Sequence, residues 1–286
     1  MYKIDGSNRT YYSADTGVLT LWKEIVVTDW KQFIHHIERF NEKHWVYRGQ
    51  NSKQWLLESS LYRECKTLDN NIDNERCIKI EKKMEEEFKS SYKLYSDFQI
   101  SEPKNENVME EWLEERLTTF SVMQHYGTPT RFLDWTHSPF IANFFALDGA
   151  MNQFCIYALN LEKINQFNEM IGVDAFQRNR IFYDTRNLIK PFLYPYHAIE
   201  KNHRLRVQQG LFLVPSLINM TFDDILKDYG IENGLLKGEE TAVKLIFDNN
   251  DLQYWWSKLI QMNITHETIY PGLEGFCKSL KLNVFK

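Results

Sequence analysis

"QHYGTPTRFLDWTHSPFIANFFA", residues Gln124 to Ala146, decides the fold. A helical apolar pattern reaches this stretch from upstream and is broken by Gly127 and Pro129, which predict a tight loop. "RFLDW" then reads as a short strand. Thr136 or His137 can cap a following helix that carries Pro139 in its first turn, where a missing amide costs nothing. That helix is apolar nearly all round and is expected to be central.

Upstream, Glu111 to Gln124 presents Leu113, Leu117, Phe120 and Met123 on one side, as an amphipathic helix does. A longer helix is expected over Asn74 to Phe98, with Ile80, Met84, Phe88, Ser91 and Tyr95 along its buried stripe and "EKKMEEEFK" as a solvated face. Another is expected from Asp29 to His44, with Phe33, Ile34, Ile37 and Phe40 inward and Asp29 accepting from its first amides. It leads into Trp45-Val46-Tyr47, a buried strand that ends on Arg48.

Downstream, "QFCIYAL", "RVQQGLFLV" and "TAVKLIF" have the β-branched and aromatic content of strands. Thr221 and Asp224 resemble a capping box for a helix that Gly230 would stop, and Asp248 to Ile264 holds one more helix, with Trp255 and Trp256 in the core. No internal repeat or low-complexity linker interrupts the chain. The pattern predicts a single α+β domain, with a helical N-terminal half, a strand-rich later half and residues 1–30 as an extension.

A chain of 286 residues with 19 Phe, 15 Tyr and 8 Trp can bury a large core, and its 12 Gly and 7 Pro exclude a disordered or fibrous class. With 34 basic and 39 acidic side chains, the formal charge of -5 gives no overall attraction to nucleic acid or anionic membranes. Cys65, Cys77, Cys155 and Cys277 are scattered, the first residues lack a signal-peptide profile, and no apolar run approaches the length of a membrane span. The expectation is a reduced, cytoplasmic protein with no membrane partner. No spacing of His, Cys and acids suggests a metal site, and phosphate-loop, dinucleotide-fingerprint and nucleophile-elbow motifs are absent.

Three polar constellations interrupt apolar segments: Arg48-Gly49-Gln50, the loop from Gln124 to Thr136, and Arg204 with Gln208-Gln209-Gly210. Each joins a side chain able to bond phosphate or amide groups to a glycine that permits close approach. A shared cleft containing Arg48, Arg131 and Gln208 would explain all three. Alternatively, Arg48 and Arg131 form buried pairs with acids such as Asp134. Asp134, between Leu133 and Trp135, is expected to be partly buried and therefore either paired or held for chemistry.

"YRGQ", the block from Gln124 to Ala146, "RLRVQQGLFLV" and "ETIYPGLEGFCKSL" resemble, in order, the motifs of the FRG domain family. The resemblance runs from about Trp45 to Leu280 and implies an FRG domain within residues 31–286. "VYRG" is also similar to the first motif of the arginine-containing ADP-ribosyltransferases, which implies such a core fold, NAD as substrate and Arg48 at its phosphates. A planar fork suits a pyrophosphate as an ammonium does not.

What the resemblance implies extends to Gly49, Gln50, Thr130 and Arg131 around NAD, with Tyr126 against nicotinamide, His125 on an amide or phosphate, and Gln208 beside the reaction. The superfamily's catalytic Glu has Gly210 in its place here. Asp134 is the first substitute carboxylate, ahead of Glu239 and Glu240. The implied setting is a bacterial toxin or anti-phage system with a nucleic acid or protein target and an antitoxin or regulatory partner. The other reading is a non-catalytic module that binds a nucleotide or partner in the same cleft.

Overall fold

The computed structural model describes residues 22–40, 44–105, 108–150, 152–188, 190–198, 203–233, 241–247 and 251–280. Its strands are β1 (Lys23–Val27), β2 (Trp45–Gln50), β3 (Leu133–Thr136), β4 (Phe154–Asn160), β5 (Leu193–Tyr196), β6 (Gly210–Pro215) and β7 (Ala242–Phe247). They form one mixed sheet in the order β1-β7-β4-β2-β3-β6-β5, in which, among the described residues, only the β1–β7 pairing is parallel. The α+β, single-sheet architecture agrees with the sequence expectation.

The helices are α1 (Trp30–Glu38), α2 (Ser60–Leu68), α3 (Asn74–Ser91), α4 (Met109–His125), α5 (Pro139–Leu147), α6 (Leu161–Met170), α7 (Ala175–Arg180), α8 (His203–Val207), α9 (Phe222–Asn233), α10 (Leu252–Gln261), α11 (His266–Ile269) and α12 (Leu273–Ser279). They cover both faces of the sheet. Along β4, Phe154, Ile156 and Ala158 enter one core and Cys155, Tyr157 and Leu159 the other, as a period of two requires. With both faces covered, "FCIYALN" is buried at every position, and so it reads as a continuous run.

Gly49 fixes the centre of this packing. A Cβ built on it would lie 1.9 Å from the carbonyl oxygen of Ala142 and 2.6 Å from the amide of Ala146, so α5 touches the β2 backbone directly. Two residues on, Asn51 donates its amide to the carbonyls of Phe145, Ala146 and Asp148 at 3.1, 3.2 and 2.5 Å. These close the free end of α5, whose other end is capped by Ser138 accepting from the amide of Ile141 at 3.3 Å. Ser138 caps in place of the expected Thr136 or His137, because Thr136 completes β3.

Other expectations change. β2 does not stop at Arg48 but continues to Gln50, paired with β4 through Cys155. "RVQQ" is not strand: α8 ends at Val207 and a turn with Gln209 at φ +48 precedes β6. β1, inside the predicted extension, is an edge strand of the sheet, registered on β7 from Val243 to Phe247. Helix α9 runs through Gly230, since one glycine costs only about 1 kcal/mol in a helix.

Helix α3 ends at Ser91, and Tyr95 beyond it is 86% exposed. Its fully buried positions are Cys77, Ile78, Glu81 and Glu85, rotated from the predicted stripe. Two acids of the supposedly solvated face are therefore inside. Glu85 accepts from Arg116 Nη2 at 2.9 Å and from Lys89 at 2.9 Å, and Glu81 is bound by Arg131.

The two glycines on the central strands differ in what surrounds them, which gives a stability test. Gly49→Ala is expected to cost about 3 kcal/mol or more, because backbone atoms of α5 must move. Gly210→Ala meets only the tip of Leu205, at 2.4 Å, and should cost about 1 kcal/mol or less. Chemical denaturation of both variants checks the difference, and equal losses would remove Gly49 from the centre of the packing.

Candidate functional site

β2 and β3 are registered at a single pair, Tyr47 with Thr136, whereas β2 follows β4 for its whole length. Beyond that pair the two strands part. A cavity of about 330 Å³ opens at this seam, bounded by β2, β3, β6, the C-terminal end of α4, and α8. Arg48 lies at the seam itself: its Nη1 donates to the main-chain carbonyl of Asp134 at 2.6 Å, a group that a continuous ladder would have bonded. A side chain thus bridges the gap between strands.

Arg48 has hydrogen-bonding capacity left. Its Nε is buried without a partner, and among the described residues no carboxylate forms an ion pair with it. Burial pulls its pKa down, with Arg63 adding to the effect, while the nearby charge of Asp134 opposes it. A guanidinium starts so high that it remains charged at neutral pH. Gly49 pins the strand, and Arg48 beside it is held half-buried in the cavity wall.

Asp134 is exposed, contrary to the expectation of partial burial. In β3 the alternation turns Leu133 and Trp135 into the core and Asp134 out, so apolar sequence neighbours say nothing about its own surroundings. Its carboxylate makes no ion pair with Arg131, which lies elsewhere.

Arg131 is fully buried. It donates through Nε to Glu81 at 2.7 Å, through Nη2 to the other oxygen of the same carboxylate, and through Nη1 to the carbonyl of Ile181 at 2.9 Å, with its guanidinium 4.6 Å from the Phe182 ring centre. The predicted convergence of Arg48, Arg131 and Gln208 therefore holds for two of the three. Arg131 joins α3 to the strand side of the loop and does not line the cavity. The alternative of a buried pair describes it, with Glu81 as the acid.

Gln208 lines the cavity from the turn before β6. Its carbonyl accepts from Thr136 Oγ1 at 2.7 Å and its side-chain amide donates to the carbonyl of Ile269 at 3.3 Å. His125, the last residue of α4, also lines it; burial lowers the pKa of its imidazole, and the charge of Arg204 lowers it further. Gly210 lies at the cavity wall as well, with Leu205 in the space a side chain would take.

Besides Arg131, three predicted contacts lie outside. Tyr126 is 70% exposed and faces a separate apolar groove with Phe88 and Tyr92. Thr130 is buried in the loop, where its hydroxyl donates to the side chain of Gln124 and accepts from the amide of Phe132. Gln50 is buried beside Leu56, whose carbonyl its amide approaches at 3.4 Å. Glu239 and Glu240 lie outside the described residues.

The cavity also takes in Ser121, Gln124 and Arg204. Ser121, Gln124 and His125 share one face of α4 at a spacing of three and four, a signal that was available in the sequence. Arg204 is placed 4.7 Å over the ring of Tyr270 and 3.9 Å from Glu274, partners too distant in sequence to foresee. Among the described residues, no group of three or more His, Cys, Asp or Glu could hold a metal ion, and no helix is long and apolar enough to cross a membrane.

Residues 43–154 match the family model of the FRG domain. The match includes Arg48, Gly49, Gln124, His125 and Asp134 and ends at the start of β4; Arg204, Gln208 and Gly210 come from beyond it. No curated protein and no solved structure matches the chain.

The separate placements of Arg131 and Asp134 predict opposite stabilities. Arg131→Met leaves the Glu81 carboxylate buried alone and should cost about 3–5 kcal/mol, much of which the double variant with Glu81→Leu recovers. Asp134→Asn should change stability by about 0.5 kcal/mol or less. Thermal and denaturant unfolding of the three proteins provides the check.

Proposed function

We propose that this FRG-domain chain is an ADP-ribosyltransferase-like enzyme that uses NAD, with Arg48 at the dinucleotide's phosphates and Asp134 at the reacting ribose. One observation carries the reading. A guanidinium and a carboxylate of opposite charge border one cavity without forming an ion pair, so each keeps bonding capacity for a ligand.

Transfer breaks the bond between nicotinamide and the ribosyl carbon, and nicotinamide leaves with the electron pair. The acceptor's nucleophile then bonds that carbon and gives up its proton. Positive charge builds on the ribose as the bond breaks, and a carboxylate at that point lowers the barrier. Asp134 is suited to this because no cation among the described residues forms an ion pair with it. The depressed pKa of His125 leaves its imidazole neutral at physiological pH, able to accept as well as donate. Gln208 supplies amide groups on the same wall, held by Thr136 from behind.

The acceptor in this reading is a nucleic acid or protein, in a bacterial toxin or anti-phage setting. A second reading has its own support: Gly210 leaves β6 without a carboxylate, and Leu205 fills the space above it. In that reading the cavity binds a nucleotide or partner without turnover, and Asp134 only repels part of an anionic ligand.

Asp134→Asn separates the two. Because Asp134 is exposed, the variant should fold as the wild type does, and a transferase should lose about two or more orders of magnitude in NAD cleavage. The measurement is nicotinamide release from NAD in the presence of lysate, with RNA, DNA and protein fractions then counted for transferred label. A binding module instead gives no release with the wild type, and Asp134→Asn binds NAD as tightly or more tightly. Arg48→Lys keeps the charge but loses the fork, and is expected to weaken NAD binding by about 1.5–3 kcal/mol.

A further inference from the structure

We infer that Arg63 of α2, to which the proposed transferase reading gives no part, forms with Arg48 a two-arginine clamp for a phosphate-bearing group in a second arm of the cleft. The inference rests on that reading only for the identity of the natural ligand. The second arm is a hollow of about 230 Å³ that shares Arg48, Gln124 and Asp134 with the main cavity and is closed on its far side by Ser60 and Arg63. Arg48 and Asp134 thus stand where the two arms meet.

The charges are what call for an anion. Arg63 donates from Nη1 to the carbonyl of Glu58 at 2.7 Å, as Arg48 donates to the carbonyl of Asp134. Each guanidinium is held by a main-chain oxygen, and neither forms an ion pair among the described residues. Glu58, whose carbonyl holds Arg63, does not neutralise it, since its carboxylate binds Lys66 at 2.6 Å. The two arginines are close enough for their charges to oppose one another, and among the described residues the exposed Asp134 is the one carboxylate lining the hollow. Two planar forks in one hollow, each with donors to spare, suit the several oxygens of a pyrophosphate or phosphodiester. Ser60 does not compete for the ligand, because its hydroxyl bonds both the amide and the carbonyl of Thr130 at 3.1 and 3.2 Å.

The main cavity alone is at the lower end of the ~300–1,000 Å³ common for small-ligand sites. With the second arm joined to it at Arg48, the cleft offers space on both sides of that arginine, as a ligand with phosphates at its middle and organic groups on either side requires.

The test is calorimetric titration of the full chain with inorganic pyrophosphate. Wild type is expected to bind, Arg63→Gln to bind about tenfold more weakly, and Arg63→Lys to fall between them. Lys163→Gln, which removes a charge on α6 away from the cleft, should stay within about twofold of wild type. Unchanged affinity in Arg63→Gln, equal loss in Lys163→Gln, or no pyrophosphate binding by folded wild type each overturns the clamp. Nicotinamide release measured on the same proteins keeps the two readings apart. Release that is absent in a wild type that binds pyrophosphate sinks the transferase and leaves the clamp, whereas full release and normal NAD affinity in Arg63→Gln sink the clamp and leave the transferase.

Discussion

The contact on which this structure depends is the closure of helix α5 onto strand β2 at Gly49. With a carbonyl of the helix where a methyl group would be, no larger residue leaves the two backbones at this spacing. Asn51 then ties off the helix end with three hydrogen bonds, so the strand and the helix are held from two consecutive outward positions. Arg48 lies next to Gly49 and necessarily points to the other face of the sheet. The glycine's packing therefore sets the depth and direction of the arginine that faces the cavity.

That cavity exists because the sheet is incomplete along one line. Strands β2 and β3 meet at one pair only, and the carbonyl left free at Asp134 is bonded by Arg48 in place of a ladder partner. The cost of an interrupted ladder is offset by a charge-assisted bond. The same arrangement brings residues from three separate stretches, Arg48, His125 with Asp134, and Gln208, to one cavity.

Much of this was legible in the sequence, and the parts that were not share a cause. The loop at Gly127 and Pro129, the strand around Trp135 and the apolar helix from Pro139 follow from local chemistry, and α5 and β3 lie where that chemistry puts them. Arg48 and Gln208 were singled out because polar side chains beside glycines stand out in apolar runs. Arg131 looked the same on that criterion, but its partner is Glu81, on a helix whose charged face gave no hint of burial. A buried ion pair is invisible until its second member is known, because each half alone reads as surface. The exposure of Asp134 was missed for the reverse reason, since apolar neighbours in a strand occupy the opposite face. β1 and β5 were missed because edge strands of four or five residues carry too few side chains to set a period.

The short distance in sequence between Arg131 and Asp134 has a consequence for substitution. One residue is locked by a carboxylate, a carbonyl and an aromatic face, so the molecule tolerates little there. The other holds Arg48 only through its main-chain carbonyl, and its side chain stands exposed beside the cavity. Within one loop and strand, the position that must be kept for folding is uncoupled from the position that faces the cavity. A change of side chain at 134 therefore leaves the buried ion pair of the scaffold untouched, and the charge at the cavity can be altered separately from the fold.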